Sequence, residues 1–257
     1  MQSAEYLRSP LLAREGFVHA FFTRNGGVSQ VPFASLSFSV AVGDREAAVA
    51  ENLRRAALAL GISCASLYFV SQVHGTATQV ADGSEAREEF VLREGDAVLS
   101  VGSGVGCAVR SADCVPILIA DRRSGAVAAI HAGWRGVEQN VVRASLQRLR
   151  ALLGSPGELI AAIGPHIGPA AFEVSAEVAE RLRLASSQHD VVDASRAKPH
   201  VDLRRIVRAQ LADEGLEDGA IDDVPGCTFG DAGRFFSFRR DGQRSGRHLS
   251  AIVASPR

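Results

Sequence analysis

The chain has 257 residues, of which 46% are hydrophobic and 22% are charged, enough apolar material for one large domain or two small ones. A net charge of −1 and a pI near 6.7 give no support for a general nucleic-acid partner or a membrane-surface partner. We expect a cytoplasmic protein, because no secretory signal, membrane-length apolar stretch or close cysteine pair is visible.

The first third of the chain predicts a strand and a helix. Residues 20–27 read as a strand that leads into a glycine turn. Residues 45–60 carry apolar side chains at helical spacing, with Asp44 as the expected N-cap and Gly61 just beyond the expected end.

The middle of the chain is dominated by short apolar runs bounded by Gly, Asp or Ser, as strands usually are. They lie at residues 67–70, 97–99, 105–109, 115–119 and 127–130. The last run is followed by a predicted helix over residues 137–153, with Gly154 closing it.

The last third predicts a strand at 159–163 and two capped helices. Ser175 is expected to cap a helix that runs to Leu184, and Asp202 a helix over 203–211 that ends by Gly215. Strands are predicted at 235–238 and 249–253. Because strands cluster without regular βαβ alternation, we predict an α+β fold: one domain over residues 1–257, with a mixed-sheet core flanked by helices.

The segment Ala129-Ile-His-Ala-Gly-Trp-Arg-Gly136 stands at the corner between the predicted strand and the predicted helix. His131 is suited to bind metal or to move protons. Arg135 is suited to an anion, because it adjoins a helix N-terminus. Trp134, the chain's only tryptophan, is either a stacking surface for a ligand or a core anchor.

Three segments share one pattern, in which an apolar run is followed by a ligand-capable residue: His74, Cys114 or His131. Two histidines and a cysteine leave a fourth position open on zinc, which is typical of catalytic zinc sites. Their spacings do not by themselves define a zinc motif. A buried structural cysteine, a turn histidine, and a metal-free Cys–His nucleophile–base pair therefore stay open. Asp113, beside Cys114, is expected to hold a histidine N–H or a loop.

Six segments together resemble one family, in the same order along the chain. It is the laccase-domain family, described as purine nucleoside phosphorylases of the multicopper-polyphenol-oxidoreductase type, whose bacterial members include the peptidoglycan editing factor. The segments are Phe21-Phe-Thr-Arg-Asn-Gly-Gly27, Gln72-Val-His-Gly75, Ala112-Asp-Cys-Val-Pro116, His131-Ala-Gly-Trp-Arg-Gly136, Ile163-Gly-Pro-His-Ile-Gly168 and Phe235-Phe-Ser-Phe-Arg-Arg240.

The resemblance implies one catalytic Zn²⁺ on His74, Cys114 and His131, with Cu²⁺ as a substitute metal. It also implies phosphorolysis of adenosine, inosine and S-methyl-5′-thioadenosine, with adenosine deamination as a second activity. The chain departs from the family at Ala170-Ala171 and in Ser35-Leu-Ser-Phe-Ser39, which affects substrate contacts rather than the metal site.

The implied chemistry assigns roles to further residues. Arg24 and Arg135 are the expected phosphate ligands, with Arg239 and Arg240 as weaker candidates that a strand would point in opposite directions. For deamination at an open zinc site, Asp113 and Glu173 are the candidate acids.

Two other enzyme classes and one binding class compete with this interpretation. A blue multicopper oxidase is disfavoured, since the seven histidines include no His-x-His and Met1 is the only methionine. A Cys–His hydrolase or amidase that edits peptidoglycan precursors is the better rival. A non-catalytic metal-binding module is the third. The glycine turn beside Arg24 and the glycine-containing corner beside Arg135 argue against it, because both are suited to bind an anion.

Overall fold

The computed structural model describes residues 3–255, which form two β-sheets packed face to face with helices on their outer sides. The thirteen strands of this range are β1 (Tyr6–Leu7), β2 (His19–Phe22), β3 (Leu67–Tyr68), β4 (Thr78–Val80), β5 (Ala97–Ser100), β6 (Gly106–Ser111), β7 (Val115–Asp121), β8 (Val127–Ala132), β9 (Leu159–Ile163), β10 (Val192–Asp193), β11 (His200–Val201), β12 (Ile221–Asp223) and β13 (His248–Val253). Its eight α-helices are α1 (Pro10–Arg14), α2 (Glu46–Ala59), α3 (Arg87–Phe90), α4 (Trp134–Glu138), α5 (Val141–Leu153), α6 (Ala176–Leu184), α7 (Leu203–Asp213) and α8 (Phe238–Asp241).

Both large sheets are mixed. One has the strand order β1-β2-β13-β6-β3, and the other has the order β12-β9-β7-β8-β5-β4. The pairs β3–β6, β4–β5 and β9–β12 are parallel, and the other pairs within the two sheets are antiparallel. Strands β10 and β11 form a separate small ribbon.

The burial of β8 shows why its sequence is a continuous apolar run. Val127 and Ala129 belong to the core between the two sheets, whereas Ala128 and Ile130 belong to the core under the helices. Successive side chains of a strand point to opposite faces, so a strand covered on both faces is apolar throughout. The helix α5 covers the outer face with Val142, among others, and α2 covers the outer face of the other sheet with Leu53.

The predicted α+β class with a mixed-sheet core and flanking helices is confirmed, with the core divided between two sheets. Side-chain caps are confirmed at two helices: the Val178 N–H donates to Ser175 Oγ, and the Arg205 N–H donates to Asp202 Oδ1. Among residues 3–255, no helix combines the length and apolar composition needed to cross a membrane.

Three local predictions are wrong. The helix predicted over 137–153 is two helices, because Asn140 between them has a left-handed backbone (φ 59°). The strand predicted at 235–238 is a buried loop leading into α8, whose first turn is capped by Ser237. Asp44 is not the N-cap of α2; its carboxylate accepts hydrogen bonds from Ser29 Oγ and from the Arg45 N–H.

Candidate active site

A cleft of about 600 Å³ opens beside the turn that joins β6 to β7 and beside the end of β8. Three of the ten residues predicted for the site, Arg24, Glu173 and Arg240, do not line it. The other seven do: His74, Asp113, Cys114, His131, Trp134, Arg135 and Arg239. The structure thus brings together most of the predicted site.

Strand register explains how residues distant in sequence meet here. Strands β7 and β8 are antiparallel, with Val115 opposite Ala132, so Cys114 at the start of one strand lies beside the end of the other. Strand β5 pairs with the other edge of β8, with Ala97 opposite Ile130. The backbone N–H of His131 therefore donates to the carbonyl of Asp96, at 2.7 Å.

The three predicted metal ligands form one cluster. The ligand atoms of His74, Cys114 and His131 all lie within 4.8 Å of one another, and Cys114 Sγ is 4.0 Å from His74 Nε2. A tetrahedral zinc ion would hold sulfur and nitrogen ligands about 3.6 Å apart, given its usual bond lengths. His131 is buried, Cys114 is half-buried and His74 is exposed, so one side of the cluster faces the cleft.

Asp96, which was not among the predicted site residues, organises both histidines. Its fully buried carboxylate lies 2.9 Å from His131 Nδ1, which leaves Nε2 for a metal. The same carboxylate accepts the backbone N–H groups of His74 at 3.0 Å and Gly75 at 2.6 Å. Burial alone would raise the pKa of Asp96, but these hydrogen bonds and His131 hold it below its ordinary value. The sequence signal is an aspartate directly before the buried strand β5.

The electrostatics of the cluster favour an ionised cysteine. Burial disfavours the thiolate, but the charge of His131 and hydrogen bonds from both histidines lower the pKa of Cys114 to about 6. Burial likewise opposes protonation of His131, yet the Cys114 thiolate and Asp96 raise its pKa to about 9. A thiolate is the form of cysteine that binds metal or attacks an electrophile.

Gly133, between His131 and Trp134, leaves room for the cluster. A Cβ at this position would lie 2.7 Å from His74 Cδ2 and 3.2 Å from Cys114 Sγ. The absence of a side chain here, the donor set and the spacing together fit a metal ion with one position open to the cleft.

The sequence left two alternatives for Asp113, a contact with a histidine N–H or with a loop. The structure shows the contact with a loop. Its backbone is left-handed (φ 88°), because the chain turns sharply between β6 and β7. Its carboxylate accepts Thr228 Oγ1 at 2.6 Å and the backbone N–H of Arg239 at 2.6 Å. Asp113 thus fixes the start of α8, which carries two residues of the cleft lining, Phe238 and Arg239.

Trp134 both anchors a helix and faces the cleft. It packs against the core under the helices and also lines the cleft. The guanidinium groups of Arg135 and Arg181 lie over its ring, at 4.3 and 5.4 Å from the centroid. Arg135 is exposed at the start of α4, next to the cluster.

Arg239 and Glu173 are neighbours with different surroundings. Arg239 lines the cleft, and its Nη1 donates to the carbonyls of Glu173 and Ala171, at 2.9 and 3.3 Å. The carboxylate of Glu173 pairs with Lys198 Nζ at 2.7 Å, and Glu173 is absent from the cleft lining. The structure places it beside the site without aiming it at the metal ligands.

Arg24 and Arg240 are structural in this fold. Arg24 donates to the carbonyls of Ala34 and Ala232 at 2.8–3.0 Å. The glycine turn that follows it is packed against backbone, since a Cβ on Gly26 would lie 2.1 Å from the Ser3 carbonyl oxygen. Arg240 lies on a helix rather than a strand, and it donates to the carbonyls of Thr228, Phe229 and Phe235. Arg24 thus contacts backbone where an anion was expected, and its role as a phosphate ligand stays a prediction.

Two further arginines of the cleft lining, Arg110 and Arg247, were not predicted. Arg110 ends the apolar run of β6, and Arg247 directly precedes β13. Arg110 stands at the end of an apolar run, which is the pattern that identified His74 and Cys114, so the same search would have found it. Arg247 precedes a strand instead, and that position carries no signal until the partner strand is known.

Comparison with known proteins identifies the family. The family described as "Multi-copper polyphenol oxidoreductase laccase" matches residues 18–255. A purine nucleoside phosphorylase of Pseudomonas aeruginosa is 40% identical over 234 residues, which is 90% of each chain. One of Deinococcus radiodurans is 35% identical over 251 residues, 98% of this chain and 93% of the relative.

Solved structures share the fold over nearly the whole chain. The crystal structure of YlmD from Geobacillus stearothermophilus superposes with a TM-score of 0.89 at 29% identity, covering 99% of this chain and 100% of the other. The Bacillus licheniformis protein YfiH has a TM-score of 0.86 at 29% identity and covers 92% of each chain. Relatives of this chain include enzymes named purine nucleoside phosphorylase. The chain therefore belongs to the multi-copper polyphenol oxidoreductase laccase family.

Proposed function

We propose that this chain is a zinc-dependent purine nucleoside phosphorylase that acts on adenosine, inosine and S-methyl-5′-thioadenosine. The observation that carries the proposal is the His74–Cys114–His131 cluster at the wall of a cleft that four arginines also line. The names of the relatives supply the reaction class. The four cysteines are free thiols, which agrees with the cytoplasmic setting expected for the enzyme.

In phosphorolysis, phosphate attacks C1′ of the ribose, the bond between C1′ and the purine nitrogen breaks, and the leaving purine takes up a proton. The site must therefore bind the phosphate, hold the purine and allow that proton to reach it. The aromatic side chains of Trp134, Phe172 and Phe238 offer flat apolar surfaces to the purine. Arginine guanidinium groups are suited to phosphate, because their planar donors match its oxygens.

His74, Cys114 and His131 would hold the zinc ion, and Asp96 would fix the ring of His131. Bound zinc would supply a Lewis acid and would lower the pKa of a bound water. That second property supports adenosine deamination as a further activity, in which water replaces the 6-amino group of the purine. Cu²⁺ is a substitute for the same donor set, since copper also binds imidazole and thiolate.

The phosphate requirement tests the proposal. Zinc-loaded protein with inosine and phosphate should yield hypoxanthine and ribose 1-phosphate, and omission of phosphate should abolish hypoxanthine release. Equal release without phosphate would identify a nucleoside hydrolase instead. Oxidation of a phenol by copper-loaded protein, without phosphorolysis by the zinc form, would identify a polyphenol oxidase.

The Cys–His hydrolase is the second candidate, because Cys114 carries a lowered pKa beside two histidines. The Cys114→Ala variant separates the two functions. In the zinc enzyme this substitution should remove both activity and bound metal. Loss of activity with full retention of metal, together with hydrolysis of a peptidoglycan-type amide by the unmodified chain, would favour the hydrolase.

A further inference from the structure

We infer that the inorganic phosphate of the reaction binds between Arg110 and Arg247, on the side of the cleft formed by β6 and β13, rather than at Arg24 or Arg135. The inference rests on the proposed phosphorylase function. The ligand is a small tetrahedral oxyanion that carries between about one and two negative charges near neutral pH.

Strand register brings the two arginines together at one end of the β6–β13 pair. Arg110 of β6 is opposite Leu249 of β13, and Arg247 directly precedes β13, two positions before Leu249. The two guanidinium groups lie close enough for the charge of Arg247 to lower the pKa of Arg110. Both side chains line the cleft.

The structure fixes each guanidinium while leaving donors free. Arg110 Nη2 donates to the Val70 carbonyl at 3.1 Å, and the group lies 4.8 Å from the centre of the Phe69 ring. Arg247 Nη1 donates to the carbonyls of Ser245 and Gly246 at 2.8 and 3.0 Å. Their other side-chain nitrogens donate to no group among residues 3–255.

Gln72 holds the backbone of Arg110 from both sides. Its Nε2 donates to the Arg110 carbonyl at 2.7 Å, and its Oε1 accepts the Arg110 N–H at 2.8 Å. Gln72 belongs to the same segment as the metal ligand His74. The position of Arg110 is therefore tied to the position of the metal cluster.

The two positive charges have no carboxylate partner within the described part of the chain. Neither arginine lies within 4.0 Å of an acidic oxygen there, and Asp113, the one carboxylate in the cleft lining, already accepts Thr228 and the Arg239 N–H. Asp113 and the Cys114 thiolate act on Arg247 only as more distant charges.

Burial, together with the nearby charges of Arg247 and Arg87, lowers the pKa of Arg110 to about 10, and burial also lowers the pKa of Arg247. Partly buried like charges without a counterion are costly, and a bound dianion would remove that cost. The other two arginines of the cleft differ in this respect. Arg135 and Arg239 are both exposed, so solvent already screens their charges.

The experiment measures phosphate binding directly, on zinc-loaded protein without nucleoside, and then the KM for phosphate and for inosine. Arg247→Gln and Arg110→Gln should each weaken phosphate binding and raise the KM for phosphate by about 10-fold or more, with little change in the KM for inosine. The phosphate affinity of Arg110→Lys should lie between those of the unmodified chain and Arg110→Gln, since lysine keeps the charge without the planar guanidinium group. Arg244→Gln, an exposed arginine outside the cleft lining, is the matched control and should change neither constant.

The outcomes separate this inference from the proposed function. Phosphorolysis with a phosphate KM that is unchanged in folded, metal-loaded Arg110→Gln and Arg247→Gln would overturn the phosphate assignment and leave the proposed function standing. Phosphate binding that depends on both arginines, without phosphorolysis of any of the three nucleosides, would overturn the proposed function and support the anion site.

Discussion

Asp96 holds the geometry of the His74–Cys114–His131 cluster. It contacts the ring of His131 and the backbone of His74, and it is fully buried. A second carboxylate, Asp121, resembles it in burial and in accepting backbone N–H groups, but it lies outside the cleft lining. Comparing substitutions of Asp96 and Asp121 therefore separates an effect on metal binding from an effect on the stability of the fold.

We predict that Asp96→Asn lowers zinc affinity by about 10- to 100-fold, because an uncharged amide offers one acceptor oxygen where the two carboxylate oxygens now accept the ring of His131 and the N–H groups of His74 and Gly75. Competition with a chelator of known affinity measures this. Asp121→Asn, the control, should lower the melting temperature without changing zinc affinity. Equal zinc affinities for Asp96→Asn and the unmodified chain would show that Asp96 has no part in orienting the ligand.

Asp96 and His131 also predict a pH dependence in the metal-free protein. The depressed pKa of Asp96 stabilises the fold above the unfolded-state value of about 3.9, and this contribution is lost as the pH falls through the folded-state pKa. The raised pKa of His131 stabilises the fold below the unfolded-state value of about 6.5. That contribution is lost as the pH rises through about 9.

We therefore compare the free energy of unfolding of the unmodified chain with that of Asp96→Asn. The difference between them should be largest between about pH 4 and pH 6.5 and should decrease at lower and at higher pH. Urea unfolding across the pH range, in the presence of a chelator, measures the difference. A difference that does not vary with pH would mean that the charge of the carboxylate is not what stabilises this region.

At this scale the sequence predicts the metal ligands better than the substrate contacts. His74, Cys114 and His131 each stand at the end of an apolar run and within a family segment, so two signals agree. Arg24 also stands in a family segment, but the glycine turn beside it allows backbone segments to touch rather than an anion to enter. Arg247 was missed because an arginine before a strand carries no signal until its partner strand is known.

At the scale of elements, the boundary between α4 and α5 is the clearest departure from the sequence pattern. Apolar spacing continues through it, but Asn140 adopts a left-handed backbone and its side chain accepts the Arg143 N–H at 3.0 Å. Asparagine is among the residues that tolerate this conformation. The break lets α4 carry Trp134 and Arg135 at the cleft while α5 covers the sheet.

We predict that Asn140→Ala destabilises the fold by about 2–3 kcal/mol, from left-handed strain of about 1–2 kcal/mol and loss of the cap, about 1 kcal/mol. Asn140→Gly should cost less than about 1 kcal/mol, since glycine adopts the same backbone freely. Urea unfolding measures both. Equal losses in the two variants would exclude the backbone conformation as the cause.

At the scale of the whole molecule, two family segments meet where the sheets pack. A Cβ on Gly164, just after β9, would lie 2.2 Å from Cε1 of Phe21 on β2 of the other sheet. The fold class was predictable from the clustering of strands. The division into two sheets was not, because strands covered by a second sheet or by helices are equally apolar.

The contact predicts a non-additive pair of substitutions. Gly164→Ala alone should destabilise the protein by about 1–3 kcal/mol, as overpacking does. In the Phe21→Ala background the same change should cost clearly less, because the obstructing ring is gone. Gly219→Ala, where a Cβ meets nothing within 4 Å, is the control. Full additivity in unfolding free energies would contradict this account of how the sheets are held together.

The proposed function is phosphate-dependent cleavage of nucleosides, supported by one metal ion on His74, Cys114 and His131. Its most direct test is a zinc titration of metal-free protein, followed by hypoxanthine release from inosine in the presence of phosphate. We predict that activity rises in proportion to bound zinc and stops rising at one ion per chain, and that Cys114→Ala gains none. Full phosphorolysis by protein that holds no bound metal would contradict the claim.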